Sequence, residues 1–171
     1  MTSPYLKKLG RICRRLGGRL VLLPSRDAFC DVADAHRSLS MSLSSGSEPE
    51  YGIRWKKKIV YAVRHSDHIG YIIHEAGHVF ADRFSPDHSK CNEWSWIGWE
   101  IAVARSIGAF REWSEQNHSY SVGEVSVGGG YEQKDWGDLS PRQRDEIAAE
   151  RVAHAKKIGL LSKRGAPRSV R

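Results

Sequence analysis

Between residues 69 and 84 the apolar side chains Ile69, Ile72, Ile73, Ala76, Val79, Phe80 and Phe84 recur at intervals of three and four. That is the spacing of one buried helix face. His74, Glu75 and His78 sit inside the same stretch. Buried polar side chains are costly unless they find partners, so whatever fold the chain adopts must bring a partner to this helix. Asp67 supplies an N-cap and Ser85-Pro86 a stop, which predicts a helix over 67–84. At about 100° per residue, His74 and His78 then stand one turn apart on the same face. The pentapeptide reads HExxH. At this spacing two imidazoles reach one tetrahedral zinc ion, and the carboxylate of Glu75 is placed to take a proton from water during hydrolysis of an amide bond.

A catalytic zinc takes three protein ligands and leaves one position open. The candidates for the third are Glu100 and Glu93. Residues 92–110 predict a second helix, apolar around most of its circumference and therefore buried. Glu100 lies at its centre between Trp99 and Ile101, where metal coordination is one of the few things that stabilises a carboxylate. Glu93 lies seven residues earlier on nearly the same face, at a helix start where an acid also complements the dipole. Glu100 is the preferred ligand and Glu93 the alternative; an ion pair between Glu100 and Arg105 is the competing explanation. Asp82, four residues after His78, is spaced to accept a hydrogen bond from that ring's other nitrogen, or is simply solvated at a helix end. His65, His68 and His88 crowd the same region, as surface histidines or as a further metal site. His118, Tyr120 and Tyr131, in the glycine-rich segment 117–138, are the candidates to stabilise an oxyanion, with surface roles open for each.

The order is a short strand (58–63), a helix with His74, Glu75 and His78, then a helix with a Glu. It resembles the gluzincin metallopeptidases, and among small ones the ImmA/IrrE-like proteins of phages and mobile elements. The resemblance covers about residues 51–110. It implies an α+β, zincin-like core with a small, mostly antiparallel sheet beside the HExxH helix and the Glu-bearing helix, and additional helices at both ends. It implies one zinc ion held by His74, His78 and Glu100, with Glu75 as general base and acid. It also implies a strand at a sheet edge before the active helix, to which an extended peptide can add. The implied substrate is a protein or peptide, a transcriptional regulator among the possibilities.

The chain has 171 residues, 40% hydrophobic and 27% charged, enough for one domain with a proper core. That domain is expected at 1–162, with its metallopeptidase-like centre at about 51–115 and a basic flexible tail at 163–171. Further elements are a basic helix at 4–16, a strand at 19–23, a helix at 27–43, paired strands at 51–55 and 57–64, and a flap or short hairpin in 117–138. A last helix runs from the Ser140-Pro141 start to about Ile158, with Gly159 after it. Three distant cysteines, the short apolar run at 19–23 and the lack of a membrane-length segment predict a cytoplasmic protein that contacts no membrane. The net charge of +7 is uneven: both ends are basic and the stretch between them is acidic. The alternative to a peptidase is a non-catalytic zinc-containing module whose basic ends bind nucleic acid or a regulatory protein.

Overall fold

The continuous apolar run Ile59–Val63, β4, lies in the middle of a sheet with all five residues buried. On one side it pairs in parallel with β1 (Arg19–Leu23). On the other it pairs antiparallel with β3 (Tyr51–Arg54), and β2 (Ser40–Met41) adds a two-residue pairing outside β3. The order is β1-β4-β3-β2. This computed structural model describes residues 3–36, 40–41, 50–81, 94–127 and 130–169.

One expectation is refined here and one changes. Two of the three pairings are antiparallel, but the sheet is mixed, because β1 carries its own apolar run, Leu20–Leu23, and pairs in parallel with β4. The strand that precedes the HExxH helix is interior, not an edge. A strand buried on both faces reads as a near-continuous apolar run, and Ile59-Val60-Tyr61-Ala62-Val63 is one. Lys56 and Lys57 belong to the connection instead: Trp55–Lys57 make a 3-10 turn, and Lys58, at φ 51°, closes the hairpin.

Six α-helices occur among the described residues, and the fold is α+β. Helix α1 (Pro4–Arg15) buries Leu6, Leu9, Ile12 and Cys13. Helix α2 (Arg26–Ala35) opens on Ser25, whose hydroxyl accepts from the Ala28 N–H at 3.2 Å. It stops well short of residue 43. Ser40 and Met41 pair with the sheet instead. The HExxH helix is α3 (Ile69–Phe80), followed by α4 (Trp94–Ile107), α5 (Phe110–Gln116), a hairpin of β5 (Ser121–Val127) and β6 (Gly130–Asp135), and α6 (Pro141–Lys157). At α6 the Ser140–Gln143 capping box forms as the sequence predicts, and Gly159 takes φ 84°. One hydrophobic cluster joins α1, α3, α4 and the C-terminal segment through Leu6, Ile72, Trp99 and Leu161, among others. A smaller one, Phe29, Ile59, Tyr61 and Val63, lies under α2.

The segment after α6 is not the flexible tail that its charges predict. Residues 160–169 fold back on themselves, with Ser162 N–H donating to Ala166 O and Arg168 N–H to Leu160 O, each at 2.9 Å. The indole of Trp99 on α4 donates to Arg168 O at 3.1 Å. Leu160 and Leu161 are buried; these two apolar residues anchor a segment whose charges alone suggest solvation. Among the described residues no helix is long and apolar enough to cross a membrane.

Helices α4 and α6 meet at Gly98. A Cβ there would lie 2.0 Å from the Arg151 carbonyl oxygen and 2.5 Å from its carbon, both backbone atoms inside α6. Alanine has the better helix propensity by about 1 kcal/mol, but forcing extra volume into a packed interface costs about 1–3 kcal/mol or more, and a backbone collision of this depth belongs at the upper end. Gly98→Ala should therefore lower the unfolding free energy by about 2 kcal/mol net, measured by urea denaturation; a variant as stable as the parent would contradict this packing.

Candidate metal centre

Helix α3 presents His74, Glu75 and His78 with 8%, 4% and 2% of their surface exposed. Its start is not held by the local cap that the sequence predicts. His68, not Asp67, is the N-cap residue and gives no side-chain cap. The amide of Gly70 donates to Gln116 Oε1 of α5 at 2.6 Å, and Gln116 Nε2 donates to Asp67 O at 2.6 Å. A residue 46 positions away thus takes the place of a local cap.

His74 Nε2 and His78 Nε2 lie 3.0 Å apart, with the rings nearly perpendicular and their centroids 4.6 Å apart. Glu100 of α4 has no exposed surface. Its Oε1 is 3.0 Å from His74 Nδ1, and its Oε2 accepts from Trp113 Nε1 of α5 at 2.9 Å. A carboxylate accepts, so the ring hydrogen of His74 belongs on Nδ1. The Nε2 lone pair then faces His78, the tautomer a metal ligand needs. The Tyr120 hydroxyl, just before β5, also contacts His74 Nδ1, and the two rings are 5.5 Å apart.

The three side chains His74, His78 and Glu100 are therefore neighbours, but they form a chain through the His74 ring: Glu100 touches one nitrogen and His78 faces the other. Among the described residues no three His, Cys, Asp or Glu side chains are arranged around a common point that could hold a metal ion. The donors themselves suit zinc. Two imidazole nitrogens 3.0 Å apart approach the roughly 3.3 Å that separates two ligands of a tetrahedral ion with bonds of about 2.0 Å. Glu100, on the Nδ1 side, stands where a carboxylate orients a metal-binding histidine.

The other candidates divide. Arg105 does not reach Glu100; it pairs with Asp145 at 3.9 Å and lies over the Phe110 ring at 4.7 Å. Tyr131 is 75% exposed, and His118 is exposed with Nδ1 facing Glu115 O at 3.2 Å, so of the three oxyanion candidates only Tyr120 meets the α3 histidines. Exposed His65 bonds to Arg64, and His68 sits against Tyr51 and Tyr71. Asp82, His88, Cys91 and Glu93 lie outside the described residues. Sequence reasoning missed Trp113. Its signal is the general one that a buried indole N–H needs an acceptor. Tyr120 packs edge-on to Trp113 at 6.3 Å and Trp136 does so at 5.4 Å, the latter donating to Ser114 Oγ at 2.7 Å.

No family model matches the chain, and neither a curated protein nor a solved structure matches it significantly.

Burial pushes the Glu75 carboxyl up to about 7; His74 opposes that shift and Glu100 adds to it. From an ordinary value of 4.5 up to about 7, the metal-free folded protein keeps a proton that the unfolded chain has released, so raising the pH through this window favours unfolding. Chelator-treated protein should lose stability there, by on the order of 3 kcal/mol at most. Glu75→Gln should remove that loss, matching the parent near pH ~4 and exceeding it near pH ~8 in urea denaturation. Equal stabilities at the higher pH would contradict the burial of this group.

Proposed function

We propose that the chain is a zinc-dependent endopeptidase with a zincin-like core. The observation that carries the reading is the pair of Nε2 atoms 3.0 Å apart on one buried helix turn, with the carboxylate of Glu100 fixing the tautomer of His74. His74 and His78 hold the metal, and Glu100, in contact with His74, is the third residue of the set. The succession β4, α3, α4 keeps the order of strand, HExxH helix and Glu helix on which the gluzincin resemblance rests. Bound there, zinc would polarise a scissile carbonyl and bring a water's pKa towards neutrality.

Glu75 takes the proton from the attacking water and returns it to the leaving amine. Burial, which raises the Glu75 carboxyl, helps it hold the proton it must deliver, and a bound zinc would favour its ionised form for the first transfer. The Tyr120 hydroxyl, on the Nδ1 side of His74 with Glu100, helps hold that ring in its metal-binding orientation. Strand addition at β4 is closed, since both of its edges are taken. The β5–β6 ribbon offers the alternative. A two-stranded sheet leaves each strand one unpaired edge, and β5 begins one residue after Tyr120. A peptide added to that edge runs past His74.

Glu75→Gln should keep stoichiometric zinc, read by metal analysis, and lose about 10²–10⁴-fold in kcat/KM on a quenched-fluorescence peptide library; full activity in that variant would sink the mechanism. Glu100→Gln separates two roles in the same assay. If Glu100 orients His74, zinc affinity falls about 10–100-fold. If it is a ligand, stoichiometric zinc is lost. Unchanged affinity would remove Glu100 from the site.

A further inference from the structure

The two basic ends of the sequence meet in space. On α1, Lys8, Arg11, Arg14 and Arg15 are exposed while the opposite face is buried in the core. Two clefts lie on that side. One, of about 630 Å³, is lined by those four cations together with Ile12, Ser106 and Ile107. The other, of about 720 Å³, runs from Arg15 to Lys58 and Arg168. Arg15 belongs to both, so they form one continuous surface carrying six Lys and Arg side chains, and among the described residues no Asp or Glu lines either cleft. The C-terminal segment reaches this place by defined bonds: Trp99 holds Arg168 O, and Lys58 Nζ donates to Ser169 Oγ at 2.8 Å.

Ordinary structural needs account for part of this charge. Lys8 caps the end of α4 by donating to Ile107 O at 2.9 Å. Arg14 and Arg15, in the last turn of α1, complement its dipole. Lys58 bonds Ser169. That leaves Arg11 and Arg168, which arrive from opposite ends of the chain. Arg11, Arg14 and Arg15 make no ion pair among the described residues. Concentrating like charge without acidic partners costs stability through self-repulsion, and a polyanion relieves that cost.

We propose that this surface binds the phosphate backbone of duplex nucleic acid without reading its sequence. Among the described residues no aromatic side chain lines either cleft, and single strands are held by stacking on such side chains. The apolar face of α1, Leu6, Leu9, Ile12 and Cys13, is in the core, so the helix has nothing to insert into an anionic bilayer, as interfacial helices do. A duplex, with a charge every ~1.7 Å of axis, matches a continuous cationic strip. At about 1.5 Å per residue, the stretch of α1 from Lys8 to Arg15 contributes a strip of roughly 11 Å.

The test uses the full chain and fluorescence anisotropy with a labelled duplex of about 20 bp and arbitrary sequence, and reads no peptidase activity. Binding should weaken with salt at a log–log slope of about −4 to −5, as expected for five or so phosphates neutralised at about −0.9 each. The triple variant Arg11→Ala, Arg14→Ala, Arg15→Ala should bind at least about tenfold more weakly at ~0.1 M salt and flatten the slope by about 2.7, with its thermal melting kept. The triple Arg→Lys variant should retain binding, and Lys163→Ala with Arg164→Ala, outside both clefts, should change little. No binding at low salt, or binding indifferent to the alanine triple, would overturn the proposal. So would equal retention on phosphatidylserine vesicles, or displacement of the duplex by polyglutamate at equal charge concentration, since either assigns the surface to another class of partner.

Discussion

Glu100 is a carboxylate with none of its surface in water, and the arrangement of three helices follows from satisfying it. One oxygen is answered by His74 of α3, the other by Trp113 of α5. Hydrogen bonds to a charged group contribute about 1.5–3 kcal/mol each, while a buried charge left without its partner costs about 3–5 kcal/mol. The penalty for losing a donor therefore exceeds what the bond contributes, and the rotation of α3 and α5 about their axes is fixed by more than apolar packing. Helix α5 repeats the same logic along its length. Gln116 accepts from the Gly70 amide in the first turn of α3, and Asn117, just past the helix, donates to the carbonyl of Trp113 at 2.9 Å.

Elements whose signal is local were legible in the chain. The α3 periodicity, the apolar circumference of α4 and the Ser140–Gln143 box each lie within a turn or two, and each became the element they describe. The pairing of β3 with β4 was legible for the same reason. The parts that were not legible depend on residues far apart. β4 is interior because β1, some forty residues earlier, lies parallel to it. Its uniform apolar run carried that message, while the family resemblance implied an edge. The start of α3 is capped by Gln116, which no local pattern announces. Residues 163–169 look like a solvated basic tail, yet the buried Leu160 and Leu161 just before them hold that segment against the fold. At the site, spacing alone put His74 and His78 together. The partner of Glu100 could not be read that way, because Trp113 lies on a short helix that periodicity did not separate from its neighbours.

The polar groups of α3 are in mutual tension. His74 and His78 turn nitrogens towards each other, and buried Glu100 is close enough to disfavour ionisation of Glu75. Burial raises the Glu75 carboxyl while the neighbouring imidazole lowers it. A divalent cation between the imidazoles, as proposed, would relieve this: it would take both facing nitrogens in place of the hydrogen bond between them, and its charge would favour ionised Glu75. Hydrogen bonds fix the ring of His74 from its far side, so little ordering would be left for such an ion to supply.

The basic surface and the histidine helix share one packed wall. Trp99 holds Arg168 through its indole N–H and stacks on Phe80, with ring centroids 6.4 Å apart. Phe80 follows His78 by two residues, and Glu100 follows Trp99 by one. Beyond Phe80 is Gly18, where a Cβ would lie 2.7 Å from the phenyl ring and 2.3 Å from Lys58 O, so the chain leaving α1 runs against the same aromatic pair. A ligand on Arg15, Lys58 and Arg168 thus pulls on backbone that touches Phe80 and Trp99. Contiguity couples positions, but a switch needs an element with two arrangements. This wall is close-packed aromatic and backbone, with one arrangement. Occupancy of the basic surface would therefore stiffen the helices that carry His78 and Glu100 and raise the free energy of opening them, not turn the site on or off.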